Sequence, residues 1–171
     1  MYVTIASVLD EKGNETVQTV DADITVARVA SMMATQGIGA VPVMVDGRLA
    51  GIFTERDALM RVLGRDLDPT ATPMGAVMTK DPVTASPATS VEAALTLMSQ
   101  HRCRHLPVVG ADGALVGLVS VGDLTVAHLR AYQQVDVMAA GVRRLLPHGR
   151  FTGIVDLTRL VVSSLRRVRR T

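Results

Sequence analysis

The chain has 171 residues, of which 48% are apolar, enough to form the hydrophobic core of one domain or of two small ones. With two Tyr, two Phe and no Trp, the composition disfavours a base-stacking surface for single-stranded nucleic acid, and one cysteine excludes an internal disulfide and a cysteine-based zinc cluster. The net charge of +2 is unevenly distributed, because residues 143–171 carry eight arginines against one acid, a balance of +7, which leaves −5 for residues 1–142.

The first half of the chain predicts a βαββα unit. A short leading strand is expected within residues 4–20, and an amphipathic helix is then indicated by apolar residues at the i, i+3, i+4, i+7 spacing. These helix residues are Val26, Val29, Ala30 and Met33. Two strands follow around a "DGR" turn, in which Gly47 supplies positive φ. The strands and the closing helix are "AVPVMV" (40–45), "LAGIFT" (49–54) and "ERDALMRVLG" (55–64).

The second half predicts the same order of elements. The segment "GRDLDPTATPMG" (64–75) is a connecting loop, and a leading strand is expected within residues 77–86. Thr89 and Glu92 form a predicted capping box at the start of the next helix. The apolar face of that helix consists of Val91, Ala94, Leu95 and Met98. The two strands and the closing helix that follow are "HLPVVG" (105–110), "LVGLVS" (115–120) and "VGDLTVAHLRAY" (121–132).

The two halves are copies of each other. The phrase "GIFTERDAL" (51–59) corresponds to "GLVSVGDLT" (117–125), and the match extends backwards to the first helix of each half. Identical pairs are Val26/Val91, Met33/Met98, Pro42/Pro107, Val43/Val108, Gly47/Gly113, Leu49/Leu115, Gly51/Gly117 and Asp57/Asp123. Neither copy would bury much surface alone, so the two are expected to pack together around one continuous core.

This duplicated pattern, with "VMTKDPVT" and the "LPVV"–"DG"–"LVGLVS" hairpin, resembles a tandem pair of CBS domains, or Bateman module. The resemblance implies an α+β fold of two pseudo-symmetric β-α-β-β-α repeats packed through their sheets. We expect repeat 1 at 4–64, a linker at 65–76, repeat 2 at 77–131 and a basic, helical C-terminal extension at 132–171. No signal peptide or membrane-spanning run is evident, so a cytoplasmic protein is expected.

The repeated phrase places Thr54 three residues before Asp57, and Ser120 three residues before Asp123. This spacing is a helix-capping signature. The same corner also offers a carboxylate for ribose hydroxyls and backbone N–H groups for phosphate. The resemblance implies that these residues bind an adenosine ligand in clefts between the repeats: AMP, ADP, ATP, S-adenosylmethionine or NADH. Capping and ligand binding are compatible, and both interpretations stay open.

Nearby basic residues predict that the two clefts differ. Arg102, Arg104 and His105 precede a strand of the second copy, where the first copy has Gly37, Gly39 and Ala40. We therefore expect the cleft of Asp123, with Arg104 and His105, to bind phosphate better. Arg56 is another candidate cation, which the second copy replaces with Gly122. A solvated loop explains Arg102, Arg104 and His105 equally well, and for Arg56 an exposed position in the first turn of the helix is the favoured interpretation.

The sequence contains no set of residues typical of a catalytic site or a metal site, and the histidines are scattered. We expect a regulatory module that requires no cofactor, is not an enzyme, forms a homodimer and responds to an adenine nucleotide. The alternative is an interaction protein with vestigial clefts that acts through its Arg-rich tail. Three interpretations of that tail are ranked in this order: a helix that packs on the module or on a dimer mate, a helix that binds an anionic membrane surface, and a segment that binds nucleic acid.

Overall fold

The computed structural model describes residues 3–13 and 17–144. The chain divides into two units, Met1–Tyr132 and Gln133–Thr171, and both repeats lie in the first unit. In chain order, the elements of the first half are α1 (Ile5–Glu11), β1 (Val20–Asp21), α2 (Val26–Gln36), β2 (Ala40–Val45), β3 (Arg48–Thr54) and α3 (Glu55–Asp57), which continues as a π-helical segment (Ala58–Val62) and a 3₁₀ turn (Leu63–Arg65). Those of the second half are α4 (Met74–Val77), β4 (Thr79–Lys80), α5 (Val91–Gln100), β5 (His105–Val109), β6 (Leu115–Ser120) and α6 (Val121–Arg144).

The predicted amphipathic helices form where the periodicity placed them. In α2, Val26, Val29 and Met33 are buried, and the helix ends at Gly37, whose φ of 66° is the left-handed conformation that favours glycine. In α5 the cap lies one residue beyond the predicted position. The Ser90 hydroxyl accepts a hydrogen bond from Ala93 N, whereas Thr89 Oγ1 accepts one from Ser86 N and stabilises the preceding turn.

The strands form two sheets. The first has the order β1-β2-β3-β4, with β1 parallel to β2 and the other pairs antiparallel. The β2–β3 hairpin turns at Asp46 and Gly47, which both have positive φ, as the "DG" signal predicts. In the second sheet, β5 pairs antiparallel with β6, and Ala85 forms an isolated parallel bridge to Val108.

Both leading segments differ from the predicted strands. Within residues 4–20, the structure has helix α1 followed by only the start of the two-residue strand β1. Within residues 77–86, strand β4 pairs with β3 of the first repeat, while Ala85 forms a bridge to the second sheet and Val83 packs against the core of the second repeat. The predicted leading strands are therefore present but only two residues long, and β4 pairs with the first repeat and not with the second as expected.

Each repeat is completed by a short helix from the segment that precedes the other repeat. Ile5 and Val8 of α1 lie in a hydrophobic cluster with residues of the second repeat such as Leu106. Met74 and Val77 of α4 lie in a separate cluster with residues of the first repeat. The apolar residues therefore form two cores rather than the single continuous core that we expected, because each exchanged helix contributes to the core of one repeat.

Paired backbone hydrogen bonds hold the exchanged helices in place. Ile5 N donates to Thr89 O at 2.9 Å, and Met74 N donates to Ile24 O at 2.8 Å. In the return direction, Val91 N donates to Val3 O and Val26 N to Thr72 O. The same arrangement at both places shows that the duplication extends to the exchange itself.

The glycine that opens each repeated phrase makes room for these exchanged segments. A Cβ atom on Gly51 would lie 2.9 Å from both Met78 Cγ and the Thr79 carbonyl oxygen. A Cβ atom on Gly117 would lie 2.6 and 2.7 Å from the two Cδ atoms of Leu9. Both glycines are thus required by close approach and not by backbone conformation.

Helix α6 leaves the second repeat and continues to Arg144. Of the predicted helical extension at 132–171, the residues up to Arg144 belong to α6, and the remainder lies outside the described residues. In the part of the chain that the structure describes, no helix is both long enough and apolar enough to cross a membrane.

Candidate functional site

The first repeated corner is a closed hydrogen-bond network. Asp57 Oδ2 accepts hydrogen bonds from Thr54 N at 3.0 Å and Thr54 Oγ1 at 2.7 Å, while Asp57 N donates to Thr54 Oγ1 at 3.2 Å. This confirms the predicted capping box. Arg61 Nε lies 3.2 Å from the second oxygen, Asp57 Oδ1. Asp57 is buried, and both of its carboxylate oxygens are engaged within the chain.

The second corner has the same cap but a different cation. Asp123 Oδ2 accepts hydrogen bonds from Ser120 N at 2.8 Å and Ser120 Oγ at 2.9 Å. Lys12, at the end of α1, donates from Nζ to this same oxygen at 3.0 Å and to Leu118 O at 3.4 Å. Among the described residues, Asp123 Oδ1 has no hydrogen-bond or ion-pair partner. The Asp123 side chain is 25% exposed, compared with 12% for Asp57, so one carboxylate oxygen remains available at this corner.

A cavity of about 1050 Å³ opens beside Asp123. Its polar side chains include Lys12, His105, Ser120 and Asp123. Its apolar walls come from α1, β2, β6 and the turn after α2, so both repeats and the exchanged helix contribute. This volume lies at the upper end of the range for small-molecule sites, and the mixture of apolar walls with a few polar groups is also typical of them.

Burial, hydrogen bonds and neighbouring charges determine the ionisation of Asp123 and His105 in the cavity. Burial alone would raise the pKa of the Asp123 carboxyl, but hydrogen bonds from Ser120 and Lys12 outweigh it and hold the pKa below its usual range. Burial lowers the pKa of His105, and the positive charge of Arg104 lowers it further. The lowered pKa values keep Asp123 ionised and His105 neutral at neutral pH, and Asp10 and Lys12 also line the cavity.

The structure brings only some of the predicted site residues to the cavity. Those that line it are Ser120, Asp123 and His105. Those that do not are Thr54, Arg56, Asp57, Arg102 and Arg104. Arg56, Arg102 and Arg104 are exposed, and Arg104 instead uses its carbonyl oxygen to accept a hydrogen bond from Val121 N.

Two cations were missed by sequence reasoning. Lys12 was overlooked because it is 111 residues from Asp123 and lies in a segment predicted as a strand. Arg61 did carry a local signal, since it stands four residues after Asp57 on the same helical segment. The described residues contain no group of three or more His, Cys, Asp or Glu side chains that could hold a metal ion.

Two βαββα repeats with exchanged short helices and a cavity bounded by both define a tandem-repeat module. The model of the CBS domain matches residues 9–64 and 74–130, and the chain therefore belongs to the CBS domain family. The resemblance inferred from the duplicated phrase is thereby confirmed.

Known relatives agree with this assignment. The chain is 40% identical over 110 residues to the CBS domain-containing protein YhcV of Bacillus subtilis, covering 64% of this chain and 77% of that protein. A solved CBS-domain protein from Burkholderia ambifaria is 35% identical, with a TM-score of 0.71 over 75% of this chain and 95% of the other. The fold is also similar to that of the CBS domain protein PAE2072 from Pyrobaculum aerophilum complexed with AMP, which is 24% identical with a TM-score of 0.61 over 71% of this chain and 89% of the other.

Proposed function

We propose that this protein is a non-catalytic regulatory module that binds an adenine nucleotide in the cavity beside Asp123. The observation that carries the proposal is that Asp123 Oδ1 has no partner among the described residues, and that Asp123 lines a cavity with Lys12 and His105. A carboxylate accepts hydrogen bonds from the two hydroxyls of a ribose, and an ammonium group pairs with phosphate. The AMP complex of a protein with this fold supports the choice of ligand class.

Each part of such a ligand has a chemically suitable neighbour. Asp123 would hold the ribose, while Lys12 would move from the carboxylate to the phosphate. The apolar walls contributed by α1, β2 and β6 would contact the base. The neutral His105 would donate or accept one hydrogen bond without adding charge.

Isothermal titration with AMP, ADP, ATP, S-adenosylmethionine and NADH tests the proposal directly. We expect saturable binding of at least one of these ligands by the full chain. No heat and no shift in melting temperature with any of them would contradict the nucleotide-binding function.

Replacing Lys12 by Met is expected to weaken AMP binding about tenfold, because one charge-assisted contact to phosphate is lost. Adenosine, which has no phosphate, should bind equally well or slightly better, since Lys12 no longer competes for Asp123. Titration of both ligands measures the difference. Lys80→Met, at the end of β4, is the matched control and should change neither affinity. An equal loss for adenosine and AMP would show that Lys12 does not contact the phosphate.

Binding would be transmitted through α1. Lys12 joins the end of α1 to Asp123, while Ile5 and Val8 of the same helix contribute to the core of the second repeat. A ligand that separates Lys12 from Asp123 would favour a second position of this segment, which leads into β1 of the first sheet. Such a ligand shifts the population by its differential affinity for the two states.

A homodimer is part of the proposal. Leu59, Met60 and Leu63 after α3 are between 59% and 66% exposed, and Val126 and Leu129 of α6 occupy the corresponding exposed positions of the second repeat. Two such apolar surfaces on one unit are typical of contact between copies. We expect a dimer by sedimentation equilibrium that Leu63→Glu combined with Leu129→Glu converts to a monomer. Val45→Glu, at an exposed apolar position beside the β2–β3 turn, should leave the dimer intact.

The second candidate is an interaction protein that acts through its Arg-rich tail. The observation in its favour is the balance of +7 in residues 143–171, which lie almost entirely outside the described part of the chain. Salt-sensitive binding to RNA or DNA, or liposome binding, that is lost on deletion of 143–171 would support it. Combined with no nucleotide binding by the full chain, that result would replace our first proposal.

A further inference from the structure

The side chain of Arg61 connects the first corner to the exchanged segment around α4. Its Nε lies 3.2 Å from Asp57 Oδ1. Its Nη1 donates to the carbonyl oxygens of Val77 at 3.1 Å and Met78 at 2.8 Å. One guanidinium thus engages three acceptors, a carboxylate oxygen and two main-chain carbonyls.

The corresponding side chain is missing from the second corner. Four residues after Asp123 stands Ala127, where Arg61 stands four residues after Asp57. At that corner the equivalent carboxylate oxygen, Asp123 Oδ1, is unengaged within the described residues, and the cavity lies beside it. The two corners share the cap and the exchange of a short helix, but their cations differ. Arg61 engages the outer carboxylate oxygen of Asp57, whereas Lys12 engages the capping oxygen of Asp123 and leaves Oδ1 without a partner among the described residues.

We propose that Arg61 acts as an internal ligand of the first corner, so that each chain binds one nucleotide, and that removal of this side chain opens a second nucleotide site. The inference rests on the proposed function of the Asp123 cavity, because it assumes that the duplicated corners bind the same class of ligand.

The chemistry of the uncovered site follows from the groups that Arg61 now satisfies. Without the guanidinium, Asp57 Oδ1 and the carbonyl oxygens of Val77 and Met78 all need hydrogen-bond donors. A nucleoside supplies such donors in its ribose hydroxyls and exocyclic amino group. An alkylguanidinium supplies them too, since it reproduces the lost side chain. The uncovered site should thus bind adenosine or AMP, and a small guanidinium should compete for it.

Isothermal titration with AMP tests the inference. We expect one equivalent bound by the unmodified chain, two by Arg61→Ala, and one by Arg65→Ala, an exposed control in the following 3₁₀ turn. Propylguanidinium should displace the second equivalent in Arg61→Ala and leave the first in place. It should also raise the melting temperature of that variant while leaving that of the Arg65→Ala control unchanged.

The outcomes separate this inference from the proposed function. No AMP binding by the unmodified chain contradicts the proposed function itself. If the unmodified chain and folded Arg61→Ala each bind one equivalent of AMP, only the role of Arg61 is overturned. Two equivalents bound by the unmodified chain would overturn that role as well. A second equivalent that propylguanidinium does not displace also overturns it, because that site then lies elsewhere.

A measurement on the unmodified chain covers the case in which Arg61→Ala does not fold. The Nε–Hε NMR signal of Arg61 should be protected from exchange with water and should keep its position when one equivalent of AMP is added. An exposed Hε, or one that AMP displaces, would show that Arg61 does not fill its corner permanently.

Discussion

Replacing Asp123 by Asn is expected to weaken AMP binding about 100-fold. The carboxylate would accept two hydrogen bonds from the ribose, and bonds to a charged acceptor contribute about 1.5–3 kcal/mol each, compared with about 1 kcal/mol for neutral ones. A net loss of about 3 kcal/mol corresponds to about 100-fold in affinity. Isothermal titration of AMP and of adenosine measures it, and both ligands should be affected because both contain the ribose.

Asp57→Asn is the matched control for this prediction. Asp57 has the same position in the other repeat, but Thr54 and Arg61 engage both of its oxygens. Its replacement should lower the melting temperature and leave the affinity for AMP unchanged. Equal losses of affinity in the two variants would mean that both corners bind ligand, and an unaffected Asp123→Asn would place the ligand elsewhere.

Gly51→Ala is expected to lower the free energy of unfolding by about 1–3 kcal/mol, the usual cost of overpacking a core. The added methyl group would meet the Thr79 carbonyl oxygen at 2.9 Å, and this backbone atom cannot move without disturbing the β3–β4 pairing. Urea unfolding followed by circular dichroism measures the change. The effect should be a stability change only, because Gly51 does not line the cavity.

Two other glycines give the comparison for Gly51→Ala. Gly117→Ala should cost less, because the three atoms nearest to its methyl group all belong to the side chain of Leu9, which can change its rotamer. Gly122→Ala should be neutral or slightly stabilising, since the added methyl group would meet Ser120 Oγ at an ordinary 3.5 Å and the residue lies in the first turn of α6. A cost for Gly51→Ala no greater than that for Gly122→Ala would show that the close approach at Gly51 is unimportant.

Much of the fold could be predicted because its determinants are local. The spacing of Val26, Val29 and Met33 predicts the buried face of α2, and the "DG" turn predicts the β2–β3 hairpin. The capping phrase was likewise correctly interpreted at both corners, since Thr54 and Asp57 are only three residues apart. In each case the interacting groups are separated by a few positions, and the geometry of one helix or one turn brings them together.

Part of the candidate site was also open to prediction. Ser120, Asp123 and His105 were selected from the sequence and line the cavity, but Arg102 and Arg104 were selected from the same stretch and do not. Sequence proximity placed all these bases near a strand end. Sequence proximity could not decide which of these side chains point into the cavity, because that depends on the path of β5 and on the burial of each side chain.

The amino-acid sequence by itself determined that the protein consists of two copies of one unit, where the main helices and hairpins lie, and that each copy has a capped corner with an aspartate. Only the tertiary structure decided that α1 and α4 contribute to the core of the opposite repeat, that Lys12 meets Asp123, and that Arg61 fills the first corner. The physical reason is that periodicity and capping act within one or two turns of the chain. Which helix covers which sheet, and which cation reaches which carboxylate, depends on the burial of apolar surface between segments far apart in sequence.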